Sequence, residues 1–281
     1  MLAPWRDRRG AFSAIRAGAL VLAAVPAAFM LADWRSGAFG PIPVIGFTYW
    51  SGVWATVLLL LTLAVSPARA ILGLGRLIEA RRILGVSALL YSLLHVVAFA
   101  MLFRWDAGEL AAQMRRPTIL VASGSLALLL ALGLTSTDAA VARLGAERWH
   151  RLHRLNYAAS GLAVAHFLLS PGVFGAQYWT AGLFLWLMAW RALRGAGRGR
   201  SAMALGLLAI GAGAAAFGLE ILWLWAYQDM PPAETLPILL TFDDELSAWW
   251  VIALAGAAAA IAAALPAFRR SQAPGSRAAP M

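Results

Sequence analysis

Three histidines set inside long apolar runs are the residues of this chain best suited to chemistry. His95 lies in ALLYSLLHVVAFAMLF, and His153 and His166 share RLHRLNYAASGLAVAHFLL. The chain holds 4 His and no Cys in 281 residues. A ligating or ionisable group at membrane depth costs free energy, so by default it marks a function. A neutral imidazole in a low-dielectric helix bundle suits haem iron as an axial ligand. The pattern points to a membrane electron carrier.

The elements that position these histidines follow from composition. Hydrophobic residues make up 62% and charged residues 13%, against roughly 25% charged in globular domains. The fold class expected is therefore an all-α integral membrane protein. A crossing needs about 20 apolar residues. Eight runs qualify, over 11–33, 45–66, 83–103, 118–136, 152–170, 176–192, 203–228 and 247–267. Pro41, Pro43, Pro67, Pro117, Pro171 and Pro231–Pro232 fall at or just outside run ends, where helices start or stop. The first run is too long for the apolar core of a signal peptide, about 7–15 residues, and reads as a true span.

Charge sets the orientation. All 23 basic residues are Arg, and the net charge is +10. Arg6, Arg8, Arg9 and Arg16 precede the first span. Arg69, Arg76, Arg81 and Arg82 fill the second loop, Arg143, Arg148, Arg151 and Arg154 the fourth, and Arg191, Arg194, Arg198 and Arg200 the sixth. Arg269, Arg270 and Arg277 lie in the tail, and the opposite side holds only Arg35, Arg104, Arg115 and Arg116. Positive loops stay cytoplasmic, so both termini are expected inside a bacterial inner membrane. The outer loops carry the acids Asp106, Glu109, Asp229, Glu234, Asp243, Asp244 and Glu245. Trp34, Trp50, Trp105, Trp179, Trp249 and Trp250 mark span ends as an interfacial belt. Nucleic acid is not an expected partner, because no basic stripe lies on a polar face. The absence of Cys excludes disulfides, thiolate-held iron–sulfur clusters and c-type haem attachment. The chain has neither a G-x-G-x-x-G nor a P-loop, so any nucleotide-using reductant is a separate protein.

The histidines can be placed in depth. His95 lies about 20 Å beyond Arg82, and His166 about 22 Å beyond Arg151, at 1.5 Å per residue. The two levels match, so His95 and His166 are expected to face each other as a bis-His site for a b-type haem in the outer half of the bundle. His153 lies about 20 Å below His166, at the level of a second site near the cytoplasmic face. No His stands opposite it on the third span. Arg81 is near four full turns before His95, and so could pair with a haem propionate there or stand by an open axial position. On an ideal helix His153 and His166 point roughly 140° apart, so a bend at Gly161 or a loosened turn near His153 is expected. His150 is a competing ligand one turn earlier. Each histidine also has a plainer reading, as a packing residue or, for His153 and His150, as a solvated interfacial one. Glu220, an acid inside the seventh span, reads either as a proton or quinone site or as a neutral packing residue.

The segments RRILGVSALLYSLLH, MRRPTILVASG and LTSTDAAVARLGAERWHRLHRLNYAASGLAVAHF resemble the ferric reductase-like transmembrane family. The likeness is greatest to haem-binding membrane subunits of periplasmic protein-methionine-sulfoxide reductase systems, and it covers about 45–192. The resemblance implies a six-helix bundle with one or two b haems. By motif, the axial histidines fall on His95, His153 and His166. In the pattern W-x-x-L-H-R-L, Trp149, Leu152 and His153 match and His150 takes a variable position. It further implies electron transfer from cytoplasmic reductants to a periplasmic molybdopterin methionine sulfoxide reductase. The Arg-rich inner face suits a reduced flavin (FMN) or flavin reductase as donor and Glu220 leaves a quinol pool open, so flavin and quinone are further cofactor candidates. The relatives that reduce ferric iron carry a cytoplasmic flavin and nicotinamide domain, which this chain lacks. The domains expected are a haem-binding domain over 1–192, a two-helix extension over 203–268 and a cytoplasmic tail over 269–281. The extension departs from the six-span pattern. The alternatives are a self-contained metalloreductase or quinol-oxidising enzyme, and a non-redox scaffold or transporter.

Overall fold

The computed structural model describes residues 3–6, 9–170, 176–241 and 247–265. Arg8, Pro171, Asp243, Asp244, Glu245, Arg269, Arg270, Arg277 and the tail, all used in the sequence reading, lie outside the described residues. The described elements are helices, as the composition requires. They are α1 (Ala14–Ser36), α2 (Pro43–Leu72), α3 (Ala80–Leu102), α4 (Ala107–Gln113), α5 (Pro117–Leu134), α6 (Asp138–Leu144), α7 (Ala146–His153), α8 (Asn156–Leu169), α9 (Ala176–Gly195), α10 (Ala202–Gln228), α11 (Pro232–Leu240) and α12 (Ala248–Ala264). A 3₁₀ turn over Gly75–Glu79 precedes α3.

Each expected span has a helical counterpart. Five stretches are long and apolar enough to cross a membrane by length and composition: Ala14–Ser36, Pro43–Leu72, Gly75–Leu102, Pro117–Leu134 and Ala202–Gln228. The other three counterparts are α8 with 14 residues, α9 with 20 and the apolar α12 with 17. The short helices α4, α6, α7 and α11 lie between the spans, in segments that polarity alone marks only as loops.

Helix ends follow local chemistry. Ser13 caps α1, its hydroxyl accepting from the Arg16 N–H, and Gly37 ends the helix at φ 75°, a conformation that costs glycine little. Asp106, Thr137 and Ser201 cap α4, α6 and α10 in the same way as Ser13. Pro117 is the first residue of α5, where its missing N–H is not needed. Pro67 does not end its span as expected. It lies inside α2, which runs on to Leu72 with Arg69 in its last turn. Proline is tolerated inside membrane helices because neighbours can satisfy the freed carbonyl.

The chain packs as two units, residues 1–63 with 79–170 and residues 64–78 with 171–281. In the first, α1 packs on α3, α3 on α5 and α5 on α8. Hydrogen bonds across helices fix this order. Tyr91 Oη donates to the Ala23 carbonyl at 2.7 Å, and Ser125 Oγ to the Ala159 carbonyl at 2.9 Å. At one end, Ser13 Oγ donates to Glu79 Oε2 at 2.7 Å, with Arg16 Nε 3.5 Å from the same oxygen. The start of α1 is thus tied to the residue before α3.

In the second unit α9, α10 and α12 pack on one another and α11 packs on α10. Their approach depends on small residues, which let membrane helices come close. A Cβ at Gly256 would stand 2.9 Å from the Ala209 Cα and 3.0 Å from Trp186 Nε1, and one at Gly182 2.9 Å from the Ala216 Cβ. Gly256→Leu should therefore destabilise the second unit by about 1–3 kcal/mol through overpacking. Thermal unfolding of the purified protein, followed by proteolysis within α9–α12, reads this directly. A melting curve identical to wild type would contradict the packing described.

Candidate functional site

The structure brings two of the three candidate histidines together. The rings of His95, from α3, and His166, from α8, lie 6.2 Å apart between centroids with their planes at 72°. Both helices pack on α5, which sets their spacing. Each ring is held by a backbone carbonyl. His95 Nδ1 is 2.8 Å from the Thr48 oxygen on α2, and His166 Nδ1 is 3.0 Å from the Thr118 oxygen in the first turn of α5. A carbonyl can only accept, so in both rings Nδ1 carries the proton. That leaves Nε2 of both imidazoles as a lone-pair donor. A second hydrogen bond of this kind is how proteins orient a metal-binding histidine and fix its tautomer.

The carbonyl of Thr48 is itself anchored. Ser51 Oγ donates to it at 2.9 Å, and Thr48 Oγ1 donates to the Val44 carbonyl at 2.7 Å. Gly52 completes the cradle, since a Cβ there would meet His95 Nδ1 at 2.9 Å. Tyr49 lies 6.2 Å from Phe167, so the ring after His166 also packs on α2.

His153 is arranged differently. It ends α7, ahead of the spanning α8. Its Nε2 is 3.2 Å from Thr135 Oγ1, which donates its own proton to the Ala131 carbonyl at 2.7 Å. His153 therefore donates from Nε2, the opposite tautomer from the other two. Trp149 stacks on it at 3.8 Å and donates from Nε1 to the Thr135 carbonyl at 2.8 Å. Burial, and next the charge of Arg81, hold the His153 imidazole below its ordinary value of 6.5, so it is neutral at pH 7. His150 is exposed, its Nδ1 bonded to the Ala146 carbonyl one turn back at 2.6 Å. Arg82 pairs with Asp138 at 2.8 Å.

The expected bend at Gly161 and the expected loosening near His153 are both corrected. Gly161 lies in unbroken helix. The change comes between α7 and α8, and it is a tightening. Arg154 N–H is shared between the His150 carbonyl at 3.2 Å and the Arg151 carbonyl at 3.3 Å, while Leu155 N–H reaches the Leu152 carbonyl and Tyr157 N–H the Arg154 carbonyl. The last two are 3₁₀ bonds, and each such step turns about 120° where an α-helical step turns about 100°. Two such steps add roughly 40°, which brings His153 and His166 from about 140° to about 100° apart.

Several members of the site escaped the sequence reading. The acceptors of Thr48 and Thr118 are backbone atoms and have no side-chain signature. Gly52 and Thr135 were visible only as small or polar residues in apolar runs. The sequence Thr48–Ser51–Gly52 on one face of α2 was the available signal. Trp149 was seen as a motif residue without a role.

Residues 51–164 match the family described as ferric reductase like transmembrane component. The chain is 38% identical over 158 residues to the protein-methionine-sulfoxide reductase heme-binding subunit MsrQ of Azospira oryzae, covering 56% of this chain and 68% of that protein. It is 36% identical over 166 residues to the MsrQ of Rhodospirillum rubrum, 58% of this chain and 77% of the relative. It is also 35% identical over 138 residues to the magnetosome protein MamZ of Magnetospirillum gryphiswaldense, of which it spans 21%. No solved structure matches the chain. The chain belongs to the ferric reductase-like transmembrane family and is similar to its MsrQ members.

The His153 environment has a direct test. Arg81→Gln should move the His153 titration midpoint upward toward 6.5 but not to it, since burial is the larger cause. A group with a depressed folded value stabilises the fold above its unfolded value, and that stability is lost as pH falls. Histidine NMR titration in micelles measures the midpoint. A downward movement would contradict the placement of Arg81.

Proposed function

We propose that this chain is the haem-binding subunit of a membrane electron-transfer system. It takes electrons from a cytoplasmic flavin (FMN), flavin reductase or quinol and passes them to a periplasmic molybdopterin methionine sulfoxide reductase. The observation that carries the reading is the His95–His166 pair, two imidazoles with Nδ1 committed to backbone and Nε2 free, on helices of the first unit. A metal–imidazole bond is about 2 Å, and the ligating nitrogen stands about 1 Å from its ring centre. An iron between two rings thus asks for centroids roughly 6 Å apart, and they are 6.2 Å apart. The donor set fits a b-type haem.

Bound haem supplies a one-electron couple inside the apolar layer. The protein's residues do the rest. The carbonyls of Thr48 and Thr118 raise the basicity of the two imidazoles and hold their planes. Gly52 gives the His95 ring its place. His153 would hold a second, inner haem, its ring proton moving from Nε2 to Nδ1 to free Nε2, with Arg81 as the cation beside it. His95 and His166 would hold the outer haem and His153 the inner one.

The names of the MsrQ relatives support the sulfoxide reductase as partner. The charge pattern supports the direction and the placement in the inner membrane with both termini cytoplasmic. The Arg-rich inner loops attract an acidic reduced flavin or flavoprotein, and the acids of the outer loops, Asp106 and Glu109 in the first unit and Asp229 in the second, are each a docking point for a transient partner. The domain reading stays as 1–192 for haem binding and 203–268 for the extension. A quinol donor has one observation in its favour: Glu220 is 6% exposed, and its Oε2 has no hydrogen-bond partner among the described residues.

The reduced spectrum of membranes carrying the protein should show a low-spin b-type haem. His95→Ala or His166→Ala should abolish the outer haem's share of it while the protein still inserts. Full haem content and an unchanged low-spin spectrum in both variants would overturn the pairing. In sealed vesicles, reduced flavin on the inner face should reduce the haem at a rate that falls on raising salt to physiological strength. Reduction only from the outer face would reverse the direction.

A further inference from the structure

Three of the four arginines on the proposed outer side, Arg104, Arg115 and Arg116, lie in one segment. It joins α3, which carries His95, to α5, whose Thr118 carbonyl holds the His166 ring. Positive charge in a short outer loop opposes the orientation that the inner arginines set. The fourth, Arg35, sits in the last turn of α1, where a helix favours a cation. Arg116 is at the opposite end of its helix. It immediately precedes α5 and makes no cap bond, and a helix start repels cations. Arg104 carries a backbone cost as well. Trp105 N–H reaches the Ala100 carbonyl and Arg104 N–H the Met101 carbonyl, both at 3.0 Å. This closing turn needs a left-handed residue, usually glycine, where Arg104 stands. Arg104 has φ 52° and Trp105 φ 61°. A Cβ is crowded there, and such strain collects at functional sites.

All three arginines are exposed, so an anion can reach them. Among the described residues no carboxylate forms an ion pair with any of them. Their position says which anion. Arg116 is two residues from Thr118, at most about 7 Å of chain, and the Thr118 oxygen is 3.0 Å from His166 Nδ1. Leu102, the last residue of α3, is about 10 Å beyond His95, and Arg104 follows two residues later. The segment thus lies just outside the histidine pair. A b haem carries two propionates on one edge, and carboxylates are costly to leave in an apolar layer. From the His95–His166 level in the outer half, this segment is the nearest polar ground. A guanidinium meets a carboxylate through two parallel hydrogen bonds. Arg115 and Arg116 are adjacent, and Arg116 is extended, with φ −74° and ψ 133°. Neighbours in extended chain point to opposite sides, so one of the two faces the pair, and Arg116 is the nearer to Thr118.

We propose that Arg104 and Arg116 bind the propionate carboxylates of the outer haem. The inference rests on the reading of His95 and His166 as that haem's ligands. The carboxylates offset positive charge that otherwise opposes the orientation, and the guanidiniums offset the desolvation of the carboxylates. The strained end of α3 is then explained by what its left-handed residue carries. The propionate edge faces the outer segment that also holds Asp106 and Glu109, so a transient partner docked there meets the haem at its edge.

The test uses the full chain, produced without haem and inserted in vesicles, then loaded either with haem or with haem dimethyl ester. The ester has no anionic oxygens and is otherwise the same macrocycle. The readout is the rate at which excess apomyoglobin removes each, followed as loss of the low-spin bis-imidazole signal, which reports the outer site alone. Comparing the ester-to-haem ratio of rates between variants cancels any difference in lipid affinity. Arg104→Gln with Arg116→Gln should lower that ratio at least about tenfold, one charge-assisted hydrogen bond being worth about that factor. Lys at both positions, which keeps the charge, should retain part of it, and Arg115→Gln should leave it unchanged. Arg104→Gly should act in two opposite directions. It should speed haem release, and it should raise the melting temperature of the haem-free protein, because glycine takes the left-handed position without strain. A ratio that the double Gln variant leaves unchanged overturns the inference, and it is the result expected if the guanidiniums hold lipid phosphates or only support the fold. A glycine variant that keeps haem as long as the wild type overturns it too. A wild type with no bis-imidazole signal overturns the outer-haem reading itself, whereas that signal with an unchanged ratio overturns this inference alone.

Discussion

The hydrogen bonds from His95 to the Thr48 carbonyl and from His166 to the Thr118 carbonyl are what the rest of the site depends on. Each settles a tautomer without a charged partner. A carboxylate would do the same work in a soluble protein, but at membrane depth it would cost several kcal/mol to bury. A helix carbonyl is already desolvated and has a second lone pair to give. The consequence is a demand on the backbone: α2 and α5 must stand where their carbonyls meet rings carried by α3 and α8. The ties of Tyr91 to α1, of Ser125 to α8 and of Gly52 to the His95 ring answer that demand.

The second constraint is rotational. One helix run carries both His153 and His166, and a regular α-helix points them away from each other. The overwound turn at Arg154–Tyr157 corrects part of this through the 3₁₀ bonds of Leu155 and Tyr157. Thr135, at the end of α5, then holds the inner end of the run through His153 and Trp149.

Much of this was legible in the sequence. Apolar run length located eight helices, because crossing a membrane leaves few other structures. The matched depths of His95 and His166 followed from rise per residue alone. What stayed hidden was of two kinds. Backbone acceptors have no side-chain mark, so Thr48 and Thr118 could not be named. The other kind concerns helix continuity. Pro67 looked like a stop and is carried through inside α2, and the turn near His153, expected to loosen, tightens instead. Helices α4, α6, α7 and α11 are too short for periodicity to separate them from loops. Residues 51–164, which match the family, include His95 and His153 but end before His166, so the pairing rests on geometry.

The most direct measurement is the low-temperature electron paramagnetic resonance spectrum of the oxidised, haem-loaded protein. Two imidazole planes near a right angle leave the iron's lower d orbitals almost degenerate. The 72° between the His95 and His166 rings therefore predicts a strongly anisotropic low-spin ferric signal, one that His166→Ala abolishes. A high-spin signal in the wild type, or a rhombic low-spin signal that survives loss of either histidine, would contradict the account.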